Sequence, residues 1–80
     1  MYFVYVLESI KTSGKFYVGL TTNLERRLKE HNAGTQKYTK QHAPWELVSY
    51  TSFNNSEKAR EFEIYLKNSS GRAFIKKHFL

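Results

Sequence analysis

Five residues with side chains that can handle a phosphate ester stand out by type and spacing: Tyr5, Tyr17, Arg27, His31 and Glu63. Cleavage of a phosphodiester needs an activated water, positive charge at the phosphate and help for the leaving oxygen. The planar guanidinium of Arg27 matches phosphate oxygens. A carboxylate such as Glu63 can hold one Mg²⁺, which keeps most of its waters and also binds phosphate. A tyrosine is a weak base unless a cation stabilises its phenolate form, and Arg27 or a metal would do so for Tyr17.

The helix that must position Arg27 and His31 is bounded by clear signals. A capping box that begins at Thr22 predicts its start, and Gly34 supplies a left-handed stop. Arg27 and His31 fall three and seven residues after Leu24, so all three share an inward, apolar face. Because polar groups are costly to bury without partners, this face indicates a functional site.

The two tyrosines belong to a predicted hairpin. Residues 2–7 (YFVYVL) are β-branched and aromatic, which predicts a strand covered on both faces. Residues 16–20 resume as a strand after a turn-rich loop. A register that sets Tyr5 opposite Tyr17 would project both rings from one face of the sheet. Residues 45–53 (WELVSYTSF) indicate a third strand.

A second long helix, over about residues 57–68, must position Glu63, and Asn55 or Ser56 caps it. Glu63 lies on the edge of the apolar stripe of this helix, whereas Glu61 points away. The residues of the stripe are Ala59, Phe62 and Leu66.

The end of the chain predicts a break and a short final helix. Residues 69–71 (SSG) form the break, and residues 72–80 form the helix. Ile64 falls off the stripe of the preceding helix, so we expect the last segment to cover it.

Length and composition favour one class of partner. The chain has 80 residues, which predicts one domain over residues 1–80. Its formal net charge is +6, from 13 Lys and Arg against seven acids, all of them Glu. A basic, aromatic-rich surface favours nucleic acid, although a merely basic surface is an open alternative. There is no cysteine, so disulfides and thiolate chemistry are excluded. No apolar run approaches a membrane span and no signal peptide precedes the first strand, so we expect a cytoplasmic protein without a membrane partner.

Residues 35–44 (TQKYTKQHAP) are interpreted as a polar, basic loop. Its lysines and His42 suit a phosphate backbone, and Tyr38 can stack on a base, although an ordinary surface loop is an equal alternative. The residues expected to contact nucleic acid are Lys15, Arg26, Tyr38, Lys40 and His42.

Two short segments resemble the signatures of the GIY-YIG nuclease superfamily. Val4-Tyr5-Val6 stands in the place of the first signature, and Tyr17-Val18-Gly19 in the place of the second. As in that family, Arg27 follows the second tyrosine by ten residues, and Glu63 lies in an Ala59-x-x-x-Glu63-x-x-x-Lys67 pattern. The whole chain is similar to small stand-alone members, which are related to the catalytic domains of the UvrC-type excinuclease and of phage homing endonucleases.

The resemblance implies an α+β fold, in which about three α-helices flank a three-stranded antiparallel β-sheet in the order β-β-α-β-α-α. It also implies a metal-dependent endonuclease that cleaves DNA, of a DNA-repair type, with one Mg²⁺ or Mn²⁺. An RNA substrate stays an open alternative, as does a protein partner or a dimer for targeting.

The resemblance further implies roles for the site residues. Tyr17 would activate the water, with Tyr5 in the same hydrogen-bond network. Arg27 would bind the scissile phosphate, and Glu63 would ligate the single metal. His31 stands where homing relatives carry histidine and the excinuclease branch carries tyrosine, which suggests proton transfer.

One position departs from the excinuclease branch. That branch carries a lysine directly after the second signature, where this chain has Leu20. Lys15 or Lys40 would then supply the missing charge near the phosphate.

Two other function classes stay open. A nucleic-acid-binding module of the same fold would have weak or lost catalysis, but an inward Glu63 favours the enzyme because a carboxylate in a basic binding site repels phosphate. A metal-free ribonuclease would use His31 and His42 as acid and base, and would stay active in EDTA.

Overall fold

A computed structural model describes the whole chain, from Met1 to Leu80, and a three-stranded antiparallel sheet lies at its centre. The strands are β1 (Tyr2–Ser9), β2 (Phe16–Thr21) and β3 (Trp45–Phe53), in the spatial order β2-β1-β3. Residues 4–7 of the central β1 are all buried, because helices cover both faces of the sheet. The predicted strand with two covered faces is confirmed.

Four helices flank the sheet: α1 (Leu24–Asn32), α2 (Lys37–Gln41), α3 (Ser56–Lys67) and α4 (Ser69–His78). The predicted α+β fold and its chain order are confirmed, with the short α2 added before β3. The segment of α2 is therefore not the loop that we predicted. Its five residues carry no apolar stripe, and only Thr39 among them is buried. Each helix is too short or too polar to cross a membrane.

The two faces of the sheet carry separate cores. The α3–α4 pair packs against one face, as the apolar stripe of α3 predicts, and α1 with the α2 segment packs against the other. The first core is formed by Val4, Val6, Val18, Ala59, Leu66 and Ile75. The second core is formed by Tyr5, Leu7 and Trp45, with Tyr17, Leu24, Leu28 and Ala43 against it.

The hairpin register differs from the prediction. Tyr5 pairs with Gly19, and Tyr17 pairs with Leu7, so the two tyrosines are not directly opposite each other. They still share the face that carries the second core, because side chains two residues apart on a strand point the same way. Their ring centroids lie 6.3 Å apart.

The start of α1 also differs in detail. Asn23, and not Thr22, is the N-cap, and its side chain accepts a hydrogen bond from the N–H of Arg26 at 3.0 Å. The Thr21 hydroxyl in turn accepts a hydrogen bond from the N–H of Asn23, which fixes the cap one residue later than predicted. The left-handed stop is confirmed, since Gly34 has φ +78°.

Helices α3 and α4 meet at a single residue, Asn68. Its N–H donates to the Tyr65 carbonyl at the end of α3, and its side chain accepts from the N–H of Gly71 at the start of α4. The predicted break at residues 69–71 is therefore wrong, because Gly71 lies inside α4, where a Cβ would collide with the Tyr65 carbonyl. Ile64 is 56% exposed, so the expectation that the last segment covers it is also wrong.

Candidate active site

The second core contains a hydrogen-bonded tyrosine and histidine, both fully buried. Tyr5 comes from β1 and His31 from the last turn of α1, and the Tyr5 hydroxyl oxygen lies 2.8 Å from Nε2 of His31. The guanidinium of Arg27 lies close to the same hydroxyl. We assign the ring proton of His31 to Nδ1, so that the phenol donates to Nε2. Nδ1 is buried without a partner.

Burial sets the protonation states of this pair. Desolvation raises the pKa of the Tyr5 hydroxyl, and the nearby guanidinium of Arg27 opposes that shift. Desolvation, with help from the positive charge of Arg27, lowers the pKa of His31 below its ordinary 6.5. His31 is consequently neutral near pH 7 and can accept a proton.

Arg27 connects this pair to the surface. Its side chain is 33% exposed, and Nη1 donates to Oε1 of Glu30 at 3.0 Å. The nearby Tyr5 hydroxyl, and then the hydrogen bond to Glu30, raise the pKa of Arg27, so its charge is permanent. Its Nε is buried without a partner. A fixed charge between a buried phenol and solvent is suitably placed to meet a phosphate.

Tyr17 is the solvent-facing tyrosine of the group. Its ring centroid lies 4.9 Å from that of His31, and its side chain is half-buried. The ring of Tyr38 lies 6.2 Å farther along and is 46% exposed. A molecule that approaches from solvent meets Tyr17 before it meets the buried pair of Tyr5 and His31.

Gly19 makes room for Tyr5. It is the partner of Tyr5 across the β1–β2 ladder, and a Cβ at this position would collide with the phenol hydroxyl and ring. Its φ is not positive, so close approach rather than backbone conformation requires glycine. The second signature therefore contains one residue that contacts solvent, Tyr17, and one that lets Tyr5 reach His31.

Glu63 approaches from α3, in the other helical layer. Its side chain is 15% exposed, which agrees with the predicted place at the edge of the stripe. Its Oε2 lies 3.1 Å from Nζ of Lys67, and its Oε1 lies 4.0 Å from Nε of Arg60. The raised pKa of Tyr5, which burial dominates, also contains a contribution from the charge of Glu63. The carboxylate thus belongs to the electrostatic surroundings of the Tyr5–His31 pair.

The residues expected to bind nucleic acid separate into two groups. Tyr38 and His42 lie close together, with ring centroids 5.4 Å apart, and both flank Trp45. Lys40 is exposed on α2, the same helix as Tyr38. Arg26 instead lies on the outer face of α1, where its Nε is 3.8 Å from Glu30.

A lysine in a neighbouring turn is a candidate for the charge that the excinuclease branch carries after the second signature. Leu20 packs against the first core. Lys15, at the loop that precedes β2, lines a cleft together with Tyr38 and Arg72. Of the two substitutes that we predicted, Lys15 lies in a cleft with aromatic and cationic walls.

Comparison with known proteins identifies the family. Residues 1–77 match the family model of the GIY-YIG catalytic domain. This chain belongs to the GIY-YIG family. The family consists of endonucleases, which generally use a divalent metal ion. The resemblance predicted from the two signatures is confirmed.

This GIY-YIG domain is similar to several UPF0213 proteins. It is 38% identical to UPF0213 protein BH0048 of Halalkalibacterium halodurans, over 89% of this chain and 74% of that protein. It is 36% identical to UPF0213 protein SAG0778 of Streptococcus agalactiae, over 95% of this chain and 89% of that protein. The solution NMR structure of UPF0213 protein BH0048 from Bacillus halodurans matches with a TM-score of 0.57 and 31% identity, covering 99% of this chain and 87% of that one.

The side chains of this GIY-YIG domain fit only one kind of metal site. No group of three or more His, Asp or Glu side chains lies close enough to enclose a metal. A divalent ion held mostly by water and substrate phosphate needs only one or two carboxylates. Glu63 meets that need, since its present partners, Lys67 and Arg60, are long exposed side chains that can turn away.

Sequence reasoning missed three residues near the site. Glu30 faces outward on a helical wheel, yet its side chain turns back to Arg27, and the i,i+3 spacing was the available signal. Arg72 and Lys76 line the cleft with Lys15. Their i,i+4 spacing on a helix without an acid was the signal for a cationic face.

Proposed function

We propose that this domain is a metal-dependent endonuclease that hydrolyses phosphodiester bonds of DNA at Tyr17. One observation carries the proposal. A neutral buried histidine is hydrogen-bonded to a buried tyrosine beside a charged arginine, and the three lie behind a tyrosine that reaches solvent. A core that needed only stability would not hold a histidine and an arginine that each leave a buried nitrogen unpartnered.

The proposed roles follow from exposure and charge. Tyr17 contacts the attacking water, because it is the one of the two signature tyrosines that reaches solvent. The released proton reaches His31 through the Tyr5 hydroxyl, which passes its own proton to Nε2 and takes up the released one; burial keeps the ring neutral and able to accept it. Tyr5 links the proton acceptor to Arg27, and the fixed guanidinium neutralises the charge that grows on the phosphate.

Glu63 is the proposed metal ligand. A divalent ion at its carboxylate would add positive charge next to the phosphate and assist the leaving oxygen. To bind it, Glu63 must exchange Lys67 and Arg60 for the ion, which requires only side-chain rotation.

The test is cleavage of labelled DNA as supercoiled plasmid, branched and single-stranded forms, with Mg²⁺ or Mn²⁺ and with EDTA. We expect metal-dependent cleavage that Tyr17→Phe lowers by about 100-fold or more. Tyr50→Phe is the matched control, because Tyr50 is an exposed tyrosine on β3. Cleavage that survives Tyr17→Phe would move the chemistry elsewhere, and an RNA oligonucleotide in the same assay tests the alternative substrate.

A nucleic-acid-binding module is the second candidate, and the ion pairs favour it. Arg27 is already paired with Glu30, and Glu63 with Lys67, so both charges are partly satisfied without a substrate. Binding of every DNA form without cleavage in either metal would establish this function and reject the enzyme.

A metal-free ribonuclease is disfavoured by the position of its acid and base. His31 is fully buried behind Tyr5 and Tyr17, and Nδ1 of His42 lies 3.3 Å from the hydroxyl of Thr12. RNA cleavage that persists in EDTA would nevertheless restore this candidate.

A further inference from the structure

A cationic cleft begins at Tyr17 and follows β2 away from the candidate active site. Two adjoining hollows of about 330 and 290 Å³ form it, and they share Phe16, Tyr38 and Arg72 as walls. The first hollow contains Tyr17 and Lys67, and the second contains Lys15 and Lys76. We call this feature the β2 cleft.

Every charged side chain that lines the β2 cleft is positive. These residues are Lys15, Lys67, Arg72 and Lys76. Lys67 is paired with Glu63, whereas none of the other three takes part in a salt bridge. Three cations without counter-charges around a hollow repel one another, so an anion bound there would relieve the repulsion.

The cleft also holds its charges in position. The guanidinium of Arg72 lies 5.3 Å from the centre of the Phe16 ring, a cation–π contact that keeps it beside the strand. Lys76 follows Arg72 by one turn of α4, so the backbone positions of the two residues lie about 6 Å apart along the helix axis. That separation is close to the distance between successive phosphates on one strand of nucleic acid.

Tyr38 adds a flat aromatic surface to the cleft. Its ring is exposed, lines both hollows and lies 6.2 Å from the ring of Tyr17. An aromatic ring can stack only on a base whose face is free, which is a base of a single strand. Hollows of this size also cannot enclose a duplex.

We propose that the β2 cleft binds a single-stranded segment next to the bond that is cut. Arg72, Lys76 and Lys15 hold its phosphates, and Tyr38 stacks on one of its bases. The substrate is therefore a single strand, or a duplex that carries a single-stranded arm. This inference rests on the proposed function, since it names the substrate form for the same site.

Lys76→Glu and Lys77→Glu give a matched pair of variants. Both residues are exposed lysines on α4, and only Lys76 lines the cleft. Binding of the full chain to a labelled single-stranded oligonucleotide and to a blunt duplex is measured by fluorescence anisotropy in EDTA. We expect Lys76→Glu to weaken single-strand binding about tenfold and Lys77→Glu to change it less than about twofold. Blunt duplex binding should be weaker and respond equally to both variants.

A second pair tests stacking with a spectroscopic readout. A single strand that contains 2-aminopurine should lose fluorescence when it binds, because stacking quenches this base. Tyr38→Leu should abolish the quenching, whereas Tyr50→Leu, at an exposed tyrosine outside the cleft, should keep it. Retention of the quenching in Tyr38→Leu would overturn the stacking assignment.

The outcomes separate this inference from the proposed function. Equal weakening by Lys76→Glu and Lys77→Glu, or tighter binding of the blunt duplex, would overturn the β2 cleft as a single-strand site. Metal-dependent cleavage that Tyr17→Phe abolishes would leave the proposed function standing in that case. Absence of binding to every nucleic acid, together with absence of cleavage, would reject both.

Discussion

At the scale of single residues, the site is a small polar group enclosed in an apolar core. Tyr5 and His31 share one hydrogen bond beside Arg27, yet Nε of Arg27 and Nδ1 of His31 stay buried without partners. An unsatisfied buried nitrogen costs about 1–3 kcal/mol in a folded protein. This part of the core therefore lowers stability, as functional sites commonly do.

The buried histidine predicts a pH dependence of stability. The pKa of His31 is lowered by burial, so the unfolded chain takes up a proton at higher pH than the folded chain does. The contribution of His31 to the free energy of unfolding should be constant above about pH 7. It should fall as the pH drops through about 6.5. Urea denaturation between about pH 7 and pH 5 measures it, and His31→Gln should flatten the slope.

His78→Gln is the control for that slope, because His78 is exposed at the end of α4. It should leave the pH dependence unchanged. An unchanged slope in His31→Gln would mean that the pKa of His31 is the same in the folded and unfolded chains, which contradicts its assignment as a base that burial keeps neutral.

The two glutamates of α3 predict opposite outcomes. Glu63→Gln should lower metal-dependent cleavage by about 100-fold or more, because the amide removes the charge that holds the ion. It should change the free energy of unfolding by less than about 1 kcal/mol, since helix ion pairs contribute little. Glu61→Gln should be nearly silent in both measurements, because Glu61 faces solvent and pairs with Lys58. A large fall in stability in Glu63→Gln would instead indicate a structural ion pair.

At the scale of elements, the β1–β2 hairpin aligns the site. The pairing of Tyr5 with Gly19 places a bulky aromatic side chain of β1 over a residue without a side chain. The same register sets Tyr17 two pairs farther along, on the same face and nearer to solvent. A shift by one residue would turn every side chain of one strand to the opposite face.

Gly19→Ala tests this alignment. The added Cβ must displace the Tyr5 ring, so we expect a loss of about 1–3 kcal/mol in the free energy of unfolding and a large fall in cleavage. Gly14→Ala is the comparison, because Gly14 has open space around it and only its φ of +83° is unfavourable for alanine. It should also destabilise the protein, but it should lower cleavage much less than Gly19→Ala does, because it does not displace the Tyr5 ring. Normal activity in Gly19→Ala would show that the phenol position is not critical.

Most of the elements could be predicted from the sequence because their apolar spacing is strong. The strands, α1 and α3 carry such patterns, and the inward faces of Arg27, His31 and Glu63 follow from them. The register could not be predicted, because an irregular loop fixes no alignment between Tyr5 and Tyr17. The short α2 has no apolar stripe, and its anchor, Trp45, donates from its indole to the Thr39 carbonyl at 2.7 Å across the chain.

The end of α3 was misread for a different reason. Gly71 suggested a stop, but packing requires this glycine, which lies against the carbonyl of Tyr65. The helix boundary at Asn68 could not be predicted, because this one residue ends α3 and begins α4, so no loop segment separates the two helices in the sequence. Because the start of α4 was misplaced, the cationic face that Arg72 and Lys76 form on this helix was also missed.

At the scale of the whole molecule, size and charge limit the recognition of nucleic acid. The chain measures 31 × 27 × 17 Å, and its net charge is +6. A turn of duplex DNA is about 34 Å long, so the domain spans no more than about one turn. Positive charge can then give affinity, but a surface this small leaves little room to read a sequence.

The three unpaired cations of the β2 cleft predict a defined salt dependence. For single strands each phosphate contact contributes about −0.7 to the slope of log K against log salt, so three contacts give about −2. Anisotropy titrations of the single-stranded oligonucleotide at several NaCl concentrations measure this slope, and Lys76→Glu should make it smaller by about 0.7. A slope near zero would mean that phosphates are not what the protein binds.

The joint at Asn68 has a mechanical consequence. α3 carries Glu63, and α4 carries Arg72 and Lys76, with no loop between the two helices and with Gly71 packed tightly at the corner. Glu63, Arg72 and Lys76 therefore belong to one rigid unit. A change in the angle between α3 and α4 would break the cap that Asn68 forms. A ligand that binds to a rigid surface must adapt its own conformation. A single strand bends at little cost whereas a duplex resists bending, so in the proposed β2 cleft a rigid joint at Asn68 would favour the single strand without contacting it.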